Sequence, residues 1–277
     1  LCSSSVDQNA EQLGAYAMYL WQYGMNRNHV GNTYLTICGK LCAVRWFHRN
    51  TVGYDPGVSA SHAILLRGIR RFTDPVVKQQ PLSARMLRVI FCEINLTQPR
   101  DQLLWGGLLL GYFFLLRRSE YFFIGRKVRS YVLQLSALQF YSRNEEVVSP
   151  KKAVVVGITL RGAQNNEFGR EEVRYHYKTK AKLICPVRAA RWIVKAAKTL
   201  GTRAEDSALA TRHGGITAGD VSSVVKRAAS RMGLDPARFS THSVRIGGAD
   251  YRTHSKTTRC CQQKELLASL SRCADLV

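Results

Sequence analysis

The sequence predicts a mainly α-helical protein with a small antiparallel β-sheet (α+β), built as a small helical domain over residues 1–72, a linker at 73–82 and a larger domain over 83–277. Three observations predict it. Apolar residues recur at three-and-four spacing through most of the chain. Between residues 132 and 178 that period gives way to branched and aromatic runs separated by turn formers. Thr73-Asp-Pro75 and Lys78-Gln-Gln-Pro81 interrupt both patterns. A chain of 277 residues that is 45% apolar can bury one large core or two modest ones.

Taken in order, Gln8 to Met25 carries Leu13, Tyr16, Ala17, Leu20 and Trp21 on one stripe and reads as an amphipathic helix. Thr33 is placed to cap a second helix through Phe47, with Leu35, Cys38, Cys42, Val44 and Phe47 available for packing. Ser59 to Phe72 gives a third, ending in the basic cluster Arg67, Arg70 and Arg71. Ser83 is a candidate N-cap for a helix to about Ile94, and Leu103 to Leu116 forms an apolar helix. Val132 to Tyr141, Ala153 to Leu160 and Val173 to Lys178 each have room for a strand, and the turn-rich stretch 161–169 between the last two predicts a β-hairpin. Helices resume at Pro186 to Leu200, with proline at a favoured first position. Another spans Thr217 to Met232, between a Thr-x-x-Asp cap and Gly233, and His242 and Arg245 open the last.

Net charge is +22, from 41 basic and 19 acidic residues, and residues 81–277 hold 33 of the basic ones. A surplus of that size favours a polyanionic partner through counterion release, and nucleic acid leads. The eight cysteines include no CxxC pair and do not space like a zinc site or a disulfide framework. Cys38 and Cys42 read as small apolar filler. An intracellular setting is expected, nuclear if the source is eukaryotic. The apolar run Leu103 to Leu116 is short for a membrane span, so no membrane partner is expected. The chain begins at Leu1 rather than Met, which suggests a piece of a longer reading frame.

One cluster carries chemistry. Thr241-His-Ser-Val-Arg245 sets an imidazole and a guanidinium three apart at a helix start, on one side of its first turn. An arginine there can clamp a phosphate with two parallel hydrogen bonds, and a neighbouring histidine can exchange a proton with it.

The stretch FSTHSVRIGGAD closely resembles the second signature box of the tyrosine recombinase (phage integrase) family, and LLRRSEY resembles the first. LLRGIRR with its helices and linker is similar to that family's SAM-like, DNA-clamping core-binding domain, while CPVRAARWI and RAASRMGLDPARFSTHS resemble segments of its catalytic domain. The resemblance spans roughly residues 8 to 250 and, within the family, is nearest in flavour to recombinases carried by eukaryotic mobile elements. It implies a mixed, mainly helical two-domain fold and duplex DNA as partner, with a homo-oligomer on DNA as one assembly. No small-molecule substrate, cofactor or metal is implied. It implies Arg117, His242 and Arg245 as catalytic residues and Glu120 as support behind them. Arg67, Arg70, Arg71, Arg118, Lys178 and Lys180 are the implied DNA contacts.

Two parts of the family pattern are missing. Gln164 stands at the expected hairpin lysine and cannot supply a proton at neutral pH. Lys178 or Lys180 would substitute only in a different hairpin register. After Arg245 no nucleophilic tyrosine is found: Tyr251 comes too early and reads as a partly buried aromatic, and nothing around His254 fits a second site histidine. From about Ala249 the tail reads as a replacement of the family's C-terminus. Three functions stay open: a DNA-binding member degenerate for strand cleavage; an active site-specific recombinase whose nucleophile lies outside this chain; and a generic basic RNA-binding protein, with Tyr175 and Tyr177 stacking bases.

Overall fold

The computed structural model describes residues 6–24, 30–56, 60–72, 78–124, 129–163 and 166–255. The chain separates into two compact units, Leu1–Val76 and Val77–Val277. It is mainly helical with a small antiparallel sheet, as the periodicity predicts.

The first unit holds α1 (Val6–Gln22), α2 (Tyr34–Thr51) and α3 (Ala60–Phe72) around Leu13, Ala17, Leu20, Ile37, Leu41 and Ile69. The stripe expected on α1 is the buried one. On α2 the expected face is only partly right: Val44 packs against the core and Cys38 is half-buried, but Ile37 and Leu41 form the buried centre, whereas Leu35, Cys42 and Phe47 are exposed. Both sets satisfy helical spacing, and the other two helices select the face rotated by one to two residues. Cys42 is therefore not filler.

In the second unit, Ser83 caps α4 (Ala84–Glu93) by accepting from the Met86 N–H at 3.2 Å. Then α5 (Pro99–Phe114) is buried along its whole length from Gln102 to Phe114 and forms the axis of the larger core. A single turn, α6 (Arg118–Tyr121), follows. The sheet comprises β1 (Leu138–Tyr141), β2 (Val155–Ala163) and β3 (Asn166–Tyr177), antiparallel in that order. The first strand is shorter than expected. Residues 135–137 form a 3₁₀ turn, and Leu133 instead bonds Glu120 and Ala208, so its backbone groups are satisfied by loops.

The β2–β3 hairpin is longer than its composition suggests. Pairing continues past a register shift at Arg161 to Ala163 opposite Asn166, and an ion pair from Arg161 to Glu171 at 3.0 Å crosses the ladder. Most of the turn-rich stretch is therefore strand.

After the hairpin come α7 (Pro186–Leu200), a short ribbon of β4 (Ala210–Thr211) and β5 (Gly214–Gly215), α8 (Ala218–Arg231) and α9 (Thr241–Ser255). The ribbon is too short to show in periodicity. Among the described residues no helix is long and apolar enough to cross a membrane.

Gly247 and Gly248 let α9 lie against its neighbours. A Cβ on Gly247 would sit 2.1 Å from the Leu82 carbonyl oxygen, and one on Gly248 would sit 1.9 Å from that of Tyr112. Backbone meets backbone here, which only glycine permits.

A candidate phosphate-binding basin

Where α5 ends, Leu115 adopts a left-handed conformation, φ 55° and ψ 39°. For a non-glycine residue that costs about 1 kcal/mol. It turns the chain sharply, buries Leu116 and leaves Arg117 extended ahead of α6. The Glu120 carboxylate, 5% exposed, then holds Arg117 twice: Oε2 accepts its backbone N–H at 2.7 Å and Oε1 lies 3.7 Å from its guanidinium.

The same corner is tied down from behind. The last carbonyls of a helix lack intrahelical donors. Here Phe113 accepts from Arg252 of α9 and Phe114 from Arg174 of β3, each at 2.9 Å. Cations are favourable at that end of the helix dipole. Glu172 grips Arg174 with both oxygens, at 2.7 and 2.8 Å. Arg252 also reaches His176 Nε2 at 2.9 Å. Arginine can only donate, so Nε2 accepts and His176 carries its proton on Nδ1. Burial first, and the charge of Arg252 second, push the His176 pKa down to about 3, so it is neutral.

Two serines tie down the start of α9. Ser240 Oγ accepts the His242 N–H at 3.2 Å, and Ser243 Oγ accepts the Ser240 N–H at 3.1 Å. Ser243 and Val244 are buried, which turns Thr241, His242 and Arg245 outward. Thr217 and Asp220 cap α8 reciprocally, through the Asp220 N–H to Thr217 Oγ1 at 3.1 Å and the Thr217 N–H to Asp220 Oδ2 at 2.8 Å.

These three corners enclose a basin of about 660 Å³. Arg117, Arg118, Arg129, His242 and Arg245 line it together with Ser119, Tyr131, Ser222 and Ser240, and no Asp or Glu is among the lining residues. Among the described residues, the side chains of Arg118, Arg129, His242 and Arg245 have no hydrogen-bonded or ion-paired protein partner. Four guanidiniums around a cavity with the nearest carboxylate tucked underneath is an arrangement suited to an anion with several oxygens.

The structure thus brings Arg117, Arg118, His242 and Arg245 together, with Glu120 beneath them. It does not bring in Lys178 or Lys180. Lys178 pairs with Val154 at the open end of the hairpin, twelve residues beyond Asn166 at its tip, and both lysines are exposed. The alternative register in which either replaces Gln164 is therefore excluded by the ladder, while Gln164 itself lies outside the described residues. Arg67, Arg70 and Arg71 are exposed on α3 of the first unit, and Arg70 stands 5.8 Å over the Tyr34 ring.

Tyr251 packs on Tyr112 and Phe113, with ring centroids 5.8 Å away in each case, and does not line the basin. His254 lies in α9, its side chain outside the described residues. Tyr175 packs partly buried within the sheet. Its ring meets Tyr141 at 5.6 Å and fills the space above Gly157, and burial pushes its pKa up to about 12.

Sequence reasoning missed Arg129, Tyr131 and the Arg174–His176–Arg252 brace. The basic run 126–129 close after Arg117 was the available signal for Arg129; the brace has none, because it depends on which strand faces the end of α5.

No family model matches the chain, and no curated protein matches it. Among solved structures, the chain is similar to the XerH site-specific recombinase bound to its difH substrate in a pre-cleavage complex. The TM-score is 0.43 at 10% identity, over 90% of this chain and 66% of that one. This chain therefore spans just under two thirds of that protein's length.

Proposed function

We propose that this chain is a duplex-DNA-binding protein of the tyrosine recombinase type that grips backbone phosphate in the basin and is degenerate for strand cleavage. The observation that carries the reading is the basin itself: Arg117 and Arg245, far apart in sequence, face one cavity with His242, and no Asp or Glu is among its lining residues. In this role the two arginines neutralise one phosphate group and His242 donates a hydrogen bond to it. Phosphate contacts of this kind position a protein on duplex without reading sequence. The exposed arginines of α3, with Lys178 and Lys180, extend the contact, residues 1–72 serve as the clamp and 83–277 as the phosphate-binding domain. A nuclear or other DNA-containing compartment and assembly on DNA as a homo-oligomer belong to the same proposal.

One observation favours a second reading, active cleavage: Tyr131 lines the basin. In that case its phenol oxygen attacks phosphorus as His242 takes the phenol proton, the bond to the 5′-oxygen breaks, and His242 passes that proton to the leaving 5′-oxygen. Incubation with a nicked suicide duplex, then denaturing electrophoresis, separates the two. The degenerate reading expects duplex retained in a native gel and no covalent band. A covalent band that vanishes in Tyr131→Phe establishes cleavage by that residue, and tighter binding of single-stranded RNA than of duplex overturns both.

A further inference from the structure

A second concavity lies toward the other end of α5. Trp105 lines it, nine residues before Phe114 at the end of α5, or about 14 Å along the helix at 1.5 Å per residue. Its volume is about 440 Å³.

The floor is apolar: Phe91 of α4, Leu96 of the following loop, Trp105, and Leu183 and Trp192 from the α7 side. Phe91 and Trp105 pack with ring centroids 5.4 Å apart. The rim is cationic: Lys182, Arg188, Arg191 and Lys195, with no acidic residue among the lining.

The face of α7 explains the arrangement. Ala189, Ala190, Ile193, Ala196 and Ala197 are buried in the core. Arg188, Arg191, Trp192 and Lys195 follow the i, i+3, i+4, i+7 rule on the groove face. Trp192 is half-buried there: it packs against the core and also lines the groove. Lys195 stands 5.1 Å over the Trp192 ring, and Arg188 donates to the Lys182 carbonyl at 3.1 Å. Arg191 is pinned by the carbonyls of Lys151 and Ala153 at 2.9 and 3.1 Å, while its Nε is buried without a partner among the described residues. Positive charge is thus held beside the apolar floor by fixed hydrogen bonds.

We propose that this groove docks a partner protein through an acidic peptide segment whose one or two central residues are large and apolar. The volume fits such side chains and lies within the range of small binding pockets, roughly 300–1,000 Å³. Charge complementarity selects the flanks: carboxylates on either side of the apolar centre meet the rim cations, and a basic or neutral segment does not. A nucleobase fits worse, because the floor's side chains offer at most indole N–H donors and no acceptor for the base's own N–H groups. Trp192 and Arg191 are the central anchors, the residue types that dominate such contacts.

The test titrates the full chain with acetyl-Glu-Glu-Phe-Leu-Glu-Glu-amide and follows tryptophan fluorescence. Acetyl-Lys-Lys-Phe-Leu-Lys-Lys-amide and a twelve-nucleotide oligothymidylate are run alongside. The proposal expects saturable binding of the acidic peptide, at least tenfold tighter than the basic one. It also expects a tenfold or greater loss in Lys195→Glu, an exposed position that leaves the fold intact, and in Trp192→Ala. Binding of duplex through the phosphate basin stays within twofold of the parent in Lys195→Glu. Equal binding of the two peptides, no loss in either variant, or displacement of the acidic peptide by the oligonucleotide at equal concentration overturns it.

Discussion

Replacing Gly248 with alanine tests whether the close approach of α9 to α5 sets the basin. In open space the change would help, since alanine exceeds glycine by about 1 kcal/mol in a helix interior. At residue 248 the new Cβ would lie 1.9 Å from the Tyr112 carbonyl oxygen and 2.8 Å from Leu115 Cδ2. An ordinary carbon–oxygen contact is about 3.3 Å, so the helices must part by roughly 1.4 Å. Overpacking of this kind costs about 1–3 kcal/mol, and here rigid backbone on both sides places it at the upper end. Net of the propensity gain, we expect Gly248→Ala to lower unfolding free energy by about 2 kcal/mol in urea titrations and to weaken duplex binding, because His242 and Arg245 move with α9. Gly39→Ala on α2 meets nothing within 4 Å and is the contrasting case, neutral or stabilising by up to about 1 kcal/mol. A Gly248→Ala protein as stable as the parent, with unchanged duplex affinity, would refute the packing argument.

Two further outcomes follow from the brace and the caps. The folded pKa of His176 is about 3, below the ordinary 6.5, so the unfolded chain takes up this proton first and stability falls as pH drops below 6.5, by at most about 1.4 kcal/mol per unit. Burial lowers His62 in the same sense, so the comparison is between parent and His176→Gln. From pH 6.5 to 5.0 the parent should lose about 1–2 kcal/mol more, and parallel curves would show that His176 is not held neutral. Thr217→Ala removes the side-chain acceptor for the Asp220 N–H and should cost about 1 kcal/mol of stability, read from the urea midpoint.

Much of this was legible in the sequence for reasons that are local. Proline at the start of α7, the Thr-x-x-Asp cap of α8 and the serine ahead of α4 act within one turn, so their helices begin where the residues say. His242 and Arg245 were legible because three residues on a helix define a face. What depended on other elements was not. Composition alone read 161–169 as turn, whereas Glu171 across the ladder extends it as strand. The buried face of α2 was one of two equivalent stripes until its neighbours chose. Arg174, His176 and Arg252 come together only because β3 and α9 both end against the same helix terminus.

The central claim is that Arg117 and Arg245 hold a backbone phosphate of duplex DNA. It is tested most directly by the salt dependence of duplex affinity for the parent and the two single alanine variants. Each phosphate contact adds about 0.9 to the slope of log affinity against log salt. Because the two arginines share one phosphate, the account predicts that each variant loses up to about 0.9 of that slope. It also predicts a loss of about 1.5–3 kcal/mol of binding, as expected for charge-assisted hydrogen bonds. Variants that bind duplex as tightly as the parent, with the same slope, would contradict it.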